Sequence, residues 1–289
     1  MINGKRQKIT RIILYIVLSI GLIACVYPLF FMFVASTRVS GDIFLFPPPI
    51  TFGDIFLFPP PITFGDRFFE NLKNLQERIP IWSALFNSFK IAIIYTAINL
   101  LVCSMAAYSI SKFNYKGRNI VFVIIMLTMM LPAHAKLVPL YRMMTALKLS
   151  NTHLAIILPD IAGAFGIFLM RQNFHAVPDT LIEAARIDGA NEWTIFVKIV
   201  MPLMIPALTA LGIYMFVAQW TNFTWPLIIL NDPEKFTLPV ALAQLKADTR
   251  IDYGQIMVGA IFAVAPIMAV FLALQKYFIS GLTGGAVKE

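Results

Sequence analysis

Charge is scarce in this chain, and so are the residues that build metal and redox centres. Charged side chains make up 13% of the 289 residues and hydrophobic ones 59%, against about 25% and 45–50% in an ordinary soluble domain. With a mean hydropathy of +0.78, a soluble globular fold is excluded and a polytopic membrane protein is indicated. The two cysteines, Cys25 and Cys103, both fall in apolar stretches, where small buried side chains are expected rather than a disulfide or redox pair. Three histidines, His134, His153 and His175, are scattered along the chain. No H-E-x-x-H, Cys/His cluster or ordered Ser/His/Asp set accompanies them, so neither a metal site nor an enzyme is expected. The G-x-x-x-x-G-K-[ST] phosphate loop is missing too. Any energy the chain uses is therefore expected to come from a partner or an ion gradient, and no cofactor is expected in the chain itself.

What the sequence has in abundance is apolar length. The runs Ile12–Thr37, Ile91–Ser111, Ile199–Asn231 and Tyr253–Gln275 carry no charge, and each is long enough to cross a hydrocarbon core that needs about 20 residues. Two weaker spans, Asn119–Val138 and His153–Asn173, are interrupted by His134, Lys136 and Asp160, the pattern of helices lining a polar interior. Six spans put both termini on one side. Lys5, Arg6, Lys8 and Arg11 before the first span, and Lys112, Lys116 and Arg118 in the tight second connection, make that side cytoplasmic. The first span is longer than a signal-peptide core and is expected to be retained. The net charge of +8 then reflects orientation in a lipid bilayer and gives no reason to expect nucleic acid as a partner.

Between the first two spans, residues 37–83 form an external loop with an unusual feature. Gly41–Phe52, which reads Gly-Asp-Ile-Phe-Leu-Phe-Pro-Pro-Pro-Ile-Thr-Phe, is repeated without change as Gly53–Phe64. Two copies are too few for a solenoid, and the proline triplets favour extended segments that cannot join a helix. The second copy reads as a loop extension without a required role, whether it is a genuine tandem duplication or an artefact. Asn71–Arg78 and Ile81–Phe86 then look like short helical pieces feeding the second span.

The most specific signal lies at residues 178–202. Glu183-Ala184-Ala185, three residues, Gly189, then Ile199 and Met201-Pro202 form a compact polar segment between two apolar ones. Pro178 ends the preceding span, and Thr180 to Glu183 has capping-box form. Ala184 and Ala185 leave a surface low enough for another protein to approach, and Asp188-Gly189 supplies a left-handed turn that stops the short helix. A second helix leads through Trp193 and Phe196 back into the membrane. On composition alone the segment is either a connector packed under the spans or a docking knob for a cytosolic partner.

This spacing resembles the EAA loop of binding-protein-dependent ABC importers, with Met201 in place of the usual Leu. From about Asn87 onward the chain is similar to carbohydrate-type permeases of the maltose-permease G type. The shared segments are Leu131-Pro132, Val138-Pro139-Leu140-Tyr141, Phe168–Gln172, Gln219-Trp220, Trp225-Pro226-Leu227 and the ending Gly281–Lys288. The resemblance implies an all-α integral membrane protein with six transmembrane helices in the type I ABC importer (MetI-like) fold. It implies a single permease domain over 1–289 with its core at about 84–280. It also implies a second homologous permease subunit, two ATPase subunits that bind ATP and Mg²⁺, an extracytoplasmic solute-binding protein and a sugar substrate. Glu183, Ala184, Ala185, Gly189, Ile199 and Pro202 would couple to the ATPase.

For the substrate path the residues point to the fifth span. Tyr214, Thr221 and Trp225, at i, i+7 and i+11, share one face of a regular helix, with Asn222 flanking it and Gln219 about 140° from Tyr214. That face sets hydrogen-bonding groups beside aromatic rings that suit a sugar; helix packing and an interfacial aromatic belt account for the same pattern. Lys136, at the outer part of the third span, either snorkels to the interface or draws in an anionic cargo such as an acidic saccharide. An ion-coupled secondary transporter or channel is the rival class. Asp160, His134 and Lys136 would suit it, but no inverted repeat is visible.

Overall fold

The computed structural model describes residues 2–40, 64–245 and 251–283, with side chains at 8, 10–40, 64–245 and 251–275. The duplicated segment, apart from Phe64, and the tail beyond Thr283 lie outside the described residues. Every regular element among the described residues is a helix, and the chain divides into two compact units, residues 1–81 with 242–264 and residues 82–241 with 265–289.

In the smaller unit, α1 (Ile2–Ser36) is apolar around its whole circumference beyond Arg11, and most of its described side chains there are exposed. Its end is closed by local and distant donors. The Ser36 and Thr37 hydroxyls donate to the carbonyls of Phe33 and Val34 at 2.7 and 2.6 Å, and Asn71 of α2 (Phe68–Arg78) donates its amide to the carbonyls of Ser36 and Arg38 at 2.8 and 2.9 Å. A helix end leaves its last carbonyls without intrahelical partners, and these bonds satisfy them. Gly254 packs on this clasp so closely that a Cβ there would lie 2.7 Å from the Asn71 amide nitrogen and 2.8 Å from the Arg38 carbonyl. Cys25 is exposed on α1, contrary to the expectation that both cysteines are buried; Cys103 is buried, and both thiols are free. An apolar stretch with no charge on any side has no inner face to bury a cysteine in.

The larger unit is organised by α3 (Ile81–Lys112). Ile81–Phe86, expected as a separate piece, is the beginning of this helix. Three bent helix pairs follow. The third span is α4 (Arg118–Thr128), a 3₁₀ turn at Ala133–Lys136, and α5 (Leu137–Ala146), bent by 95°. The fourth is α6 (Leu154–Ile157), continued as a 3₁₀ turn to Asp160, then α7 (Ala164–Phe174), bent by 46°. After α8 (Asp179–Ile187) come α9 (Glu192–Thr194), a π-helix at Ile195–Val200, α10 (Met201–Leu203) and α11 (Ile205–Trp220), with an 80° bend at Met204. Then α12 (Thr224–Ile229), a 3₁₀ turn at Pro233–Lys235, α13 (Leu238–Gln244) and α14 (Tyr253–Thr283) complete the described order. Three unbroken helices and three bent pairs make six candidate spans.

Three expected spans are therefore interrupted, His153–Asn173 among them. Asn119–Val138 turns at Pro132, which is extended at φ −58°, ψ 129°; a proline there removes a backbone donor and its ring would clash with the carbonyl four residues back, so the helix does not run through it. Ile199–Asn231 breaks at Met204, between Pro202 and Pro206, each of which deletes one rung of the hydrogen-bond ladder. The carbonyls freed at the fourth-span break are met by α3. The buried Asn99 amide donates to the carbonyls of Asp160 and Ile161, both at 3.2 Å, and the Tyr95 hydroxyl donates to Asp160 at 3.2 Å. Backbone irregularity at membrane depth is tolerated where protein groups satisfy it.

Candidate coupling loop and translocation face

Pro178 is extended at φ −62°, ψ 133° and stands just before the first turn of α8, which starts at Asp179. Thr180 and Glu183 consequently lie inside the helix, and no side chain caps it. The capping-box expectation fails because proline, with no N–H to satisfy, already sets the entry. The helix ends as expected. Gly189 has φ +82°, its N–H bonds the Arg186 carbonyl and the Ala190 N–H bonds the Ala185 carbonyl, both at 3.0 Å, which together make a Schellman closure.

The two alanines do not share a role. Ala185 is buried with Ile182 on the inner face, while Glu183 and Ala184 are exposed, since successive helical residues turn by about 100°. On the outer face Leu181 is 40% and Ile187 86% exposed. Ile199 is half-buried within the π-helix, and Pro202 is exposed just beyond it. The wider π turn moves the carbonyls behind Pro202 away from its ring, which would clash with a regular i−4 carbonyl. Asn191 caps α9, accepting from the Thr194 N–H at 2.8 Å.

Two polar links tie this loop to the end of α3. Lys112, its side chain 5% exposed, donates to the Val177 carbonyl at 2.6 Å and pairs with Asp179 at 2.7 Å. That hydrogen bond holds the Asp179 carboxyl below its ordinary pKa. One turn earlier, the Tyr108 hydroxyl donates to Glu192 at 3.4 Å, and Glu192 accepts from Arg186 at 2.6 Å, which raises the pKa of Arg186. The Tyr108 ring lies 5.7 Å from Phe174 and 5.2 Å from Phe196, so the second link passes through packed aromatic rings. Neither Lys112 nor Tyr108 stands out in the sequence as part of the loop, because both precede it by more than 60 residues.

The aromatic face expected on the fifth span does not form. Tyr214 is 52% exposed and packs on Phe165 with ring centroids 4.7 Å apart, whereas Trp225 is 7% exposed and donates its indole N–H to the Ala155 carbonyl at 2.9 Å. The cause is Pro226. In a continuous helix its ring would meet the carbonyl of Asn222, so the helix stops at Trp220 and restarts with Pro226 in its first turn. Asn222 sits in the break and Gln219 in the last turn before it, the Gln219 Nε2 buried with no partner among the described residues. Lys136 is exposed at the elbow of the third span, with His134 exposed beside it. They stand at a break and do not line the wall of a continuous helix.

The chain belongs to the family of binding-protein-dependent transport system inner membrane components, which it matches over residues 99–284. It is 34% identical over 284 residues to the lactose transport system permease protein LacG of Rhizobium radiobacter, across 98% of this chain and 99% of that one. Over 207 residues, 72% of this chain and 74% of the relative, it is 39% identical to the arabinooligosaccharides transport system permease protein AraQ of Halalkalibacterium halodurans. To the sn-glycerol-3-phosphate transport system permease protein UgpE of Rhizobium meliloti it is 31% identical over 283 residues, across 96% and 98% of the two chains. The fold matches a chain of a bacterial ABC transporter involved in the import of the acidic polysaccharide alginate, with a TM-score of 0.78 over 94% of this chain and 97% of that one, at 24% identity. The fold is thus the all-α, six-span type I importer fold, and the chain is a translocation subunit.

Proposed function

We propose that this chain is the permease subunit of an ATP-driven importer of sugars or oligosaccharides, and that α8 is the surface on which an ATPase docks. The observation that carries this is the form of α8: a short helix closed at its C-terminal end, anchored on its inner face, and open on an outer face that presents Ile187 and Leu181. Glu183, Ala184 and Gly189 belong to the contact, while Ala185, Ile199 and Pro202 set its position. On this reading the partners are a second related permease, two ATPase subunits that bind ATP and Mg²⁺, and an extracytoplasmic solute-binding protein. The chain itself carries no cofactor, and both of its termini are cytoplasmic.

The saccharide class rests on the relatives, whose names specify lactose, arabinooligosaccharides and sn-glycerol-3-phosphate, and on the fold neighbour, which imports alginate. Two of these cargoes are anionic, and Lys136 is the cation through which this chain would favour an acidic saccharide. Gln219, Asn222 and Tyr214 are the remaining candidates for the substrate path, and Trp225 is assigned to packing. Reconstituted importer should therefore lose acidic-saccharide uptake selectively when it carries Lys136→Gln; equal loss of neutral and acidic cargo would remove Lys136 from the path.

Gly189→Val tests the docking reading. No atom lies within 4 Å of a Cβ at Gly189, so the substitution introduces no clash; it strains the left-handed turn by about 1–2 kcal/mol and reorients α8. Uptake should fall about tenfold or more while the chain still inserts and co-isolates with its ATPases. Normal uptake by an abundant Gly189→Val protein would sink the assignment.

A further inference from the structure

An ATPase that moves α8 has two routes into the membrane. Along the chain, the movement must pass the Gly189 turn, the π-helix and the 80° bend at Met204 before it reaches α11, and each of these is a joint where the backbone ladder is interrupted. Across the fold, it meets α3 at once. Lys112 and Tyr108 stand one turn apart on an unbroken 32-residue helix, and they grip α8 at opposite ends. Lys112 holds the entry through Val177 and Asp179. Tyr108 holds the exit through Glu192 and Arg186. Asp179 is 75% exposed, so solvent screens that pair. The stronger part is the buried ammonium on the Val177 carbonyl, placed at the C-terminal end of α3, where the helix dipole favours a cation.

We infer that Lys112 and Tyr108 are positioning residues for energy coupling, a two-point rivet that makes α8 and the second span move as one body. This rests on the importer reading above. The second span passes the movement on, since the same helix carries Asn99 and Tyr95 against the break in the fourth span. The linkage thus runs from the docking helix to a broken span without crossing an interrupted helix on the way.

The test is substrate transported per ATP hydrolysed, measured in vesicles on the assembled importer, a ratio that a smaller number of assembled complexes does not change. Lys112→Met should lower it about tenfold, the loss expected for a buried charge-assisted hydrogen bond, and Lys112→Arg should restore it to within about twofold. Tyr108→Phe, which keeps the ring and removes only the hydroxyl, should lower it about threefold. A wild-type ratio in Lys112→Met overturns the inference; where that variant does not assemble, a wild-type ratio in Tyr108→Phe overturns it instead. A chain that co-isolates with no ATPase defeats the importer reading itself, and the rivet with it.

Discussion

α1 and α3 are alike in length, 35 and 32 residues, and both are apolar enough to span a bilayer, yet they do different things with that hydrophobicity. None of the most apolar stretch of α1 is buried, against 44% for α3. The difference lies in the polar residues. α3 carries a series that reaches across the larger unit: Asn87 donates to the carbonyls of Glu234 and Phe236 at 2.8 and 3.2 Å, and Ser88 accepts from the Leu238 N–H at 2.7 Å. Asn99 follows at the fourth-span break, and Lys112 at the entry to α8. α1 has nothing comparable over Ile12–Thr37 until Ser36 and Thr37 close its end. Hydropathy therefore says that a helix crosses the membrane, while the placing of its amides and hydroxyls says whether it holds other helices in shape.

The comparison breaks if polar residues on α3 can be removed cheaply. Asn99→Leu combined with Tyr95→Phe takes every described donor from the carbonyls of Asp160 and Ile161, at about 1–3 kcal/mol for each carbonyl left unpaired. The unfolding midpoint of the purified chain in detergent should fall accordingly, and an unchanged midpoint would mean that water or a partner already serves those groups. A smaller effect sharpens the same point. Gly166 packs on α3 so that a Cβ there would lie 2.8 Å from the Cys103 sulfur, and Gly166→Ala should cost about 1–3 kcal/mol by overpacking. Adding Cys103→Ala should recover most of it, and if it does not, another atom is in the way. The smallest effect belongs to α1, where Leu22 is 65% exposed: Leu22→Ala should change stability by no more than about 0.5 kcal/mol.

Much of this fold can be read from the sequence where the cause is local. Three of the four charge-free runs, Ile12–Thr37, Ile91–Ser111 and Tyr253–Gln275, mark the unbroken spans, and Gly189 marks the end of α8, because hydropathy and a positive φ are properties of short stretches. Pro226 and Pro132 carry equally local signals for the breaks at Thr221–Phe223 and Met129–Pro132, and a reading by apolar length alone passes over them. Other features have no local cause. The division between Ala184 and Ala185 depends on which face of α8 packs inward, a matter of tertiary phase. Asn99, Tyr108 and Lys112 act on partners 61, 84 and 67 residues away, so no window of sequence contains both ends of those bonds.

The break in the fourth span also has a consequence for how the protein is made. A bent helix with unpaired carbonyls is a poor guest in lipid, so α6 and α7 cannot settle there until Asn99 and Tyr95 are already in place. Chain order provides for this. Asn99 precedes Asp160 by 61 residues, which at roughly 5–20 residues per second is about 3–12 s of synthesis. The ribosome thus delivers the straight helix first and the broken one to it, and the bend at Asp160 is a structure the bilayer receives only as the second half of a pair.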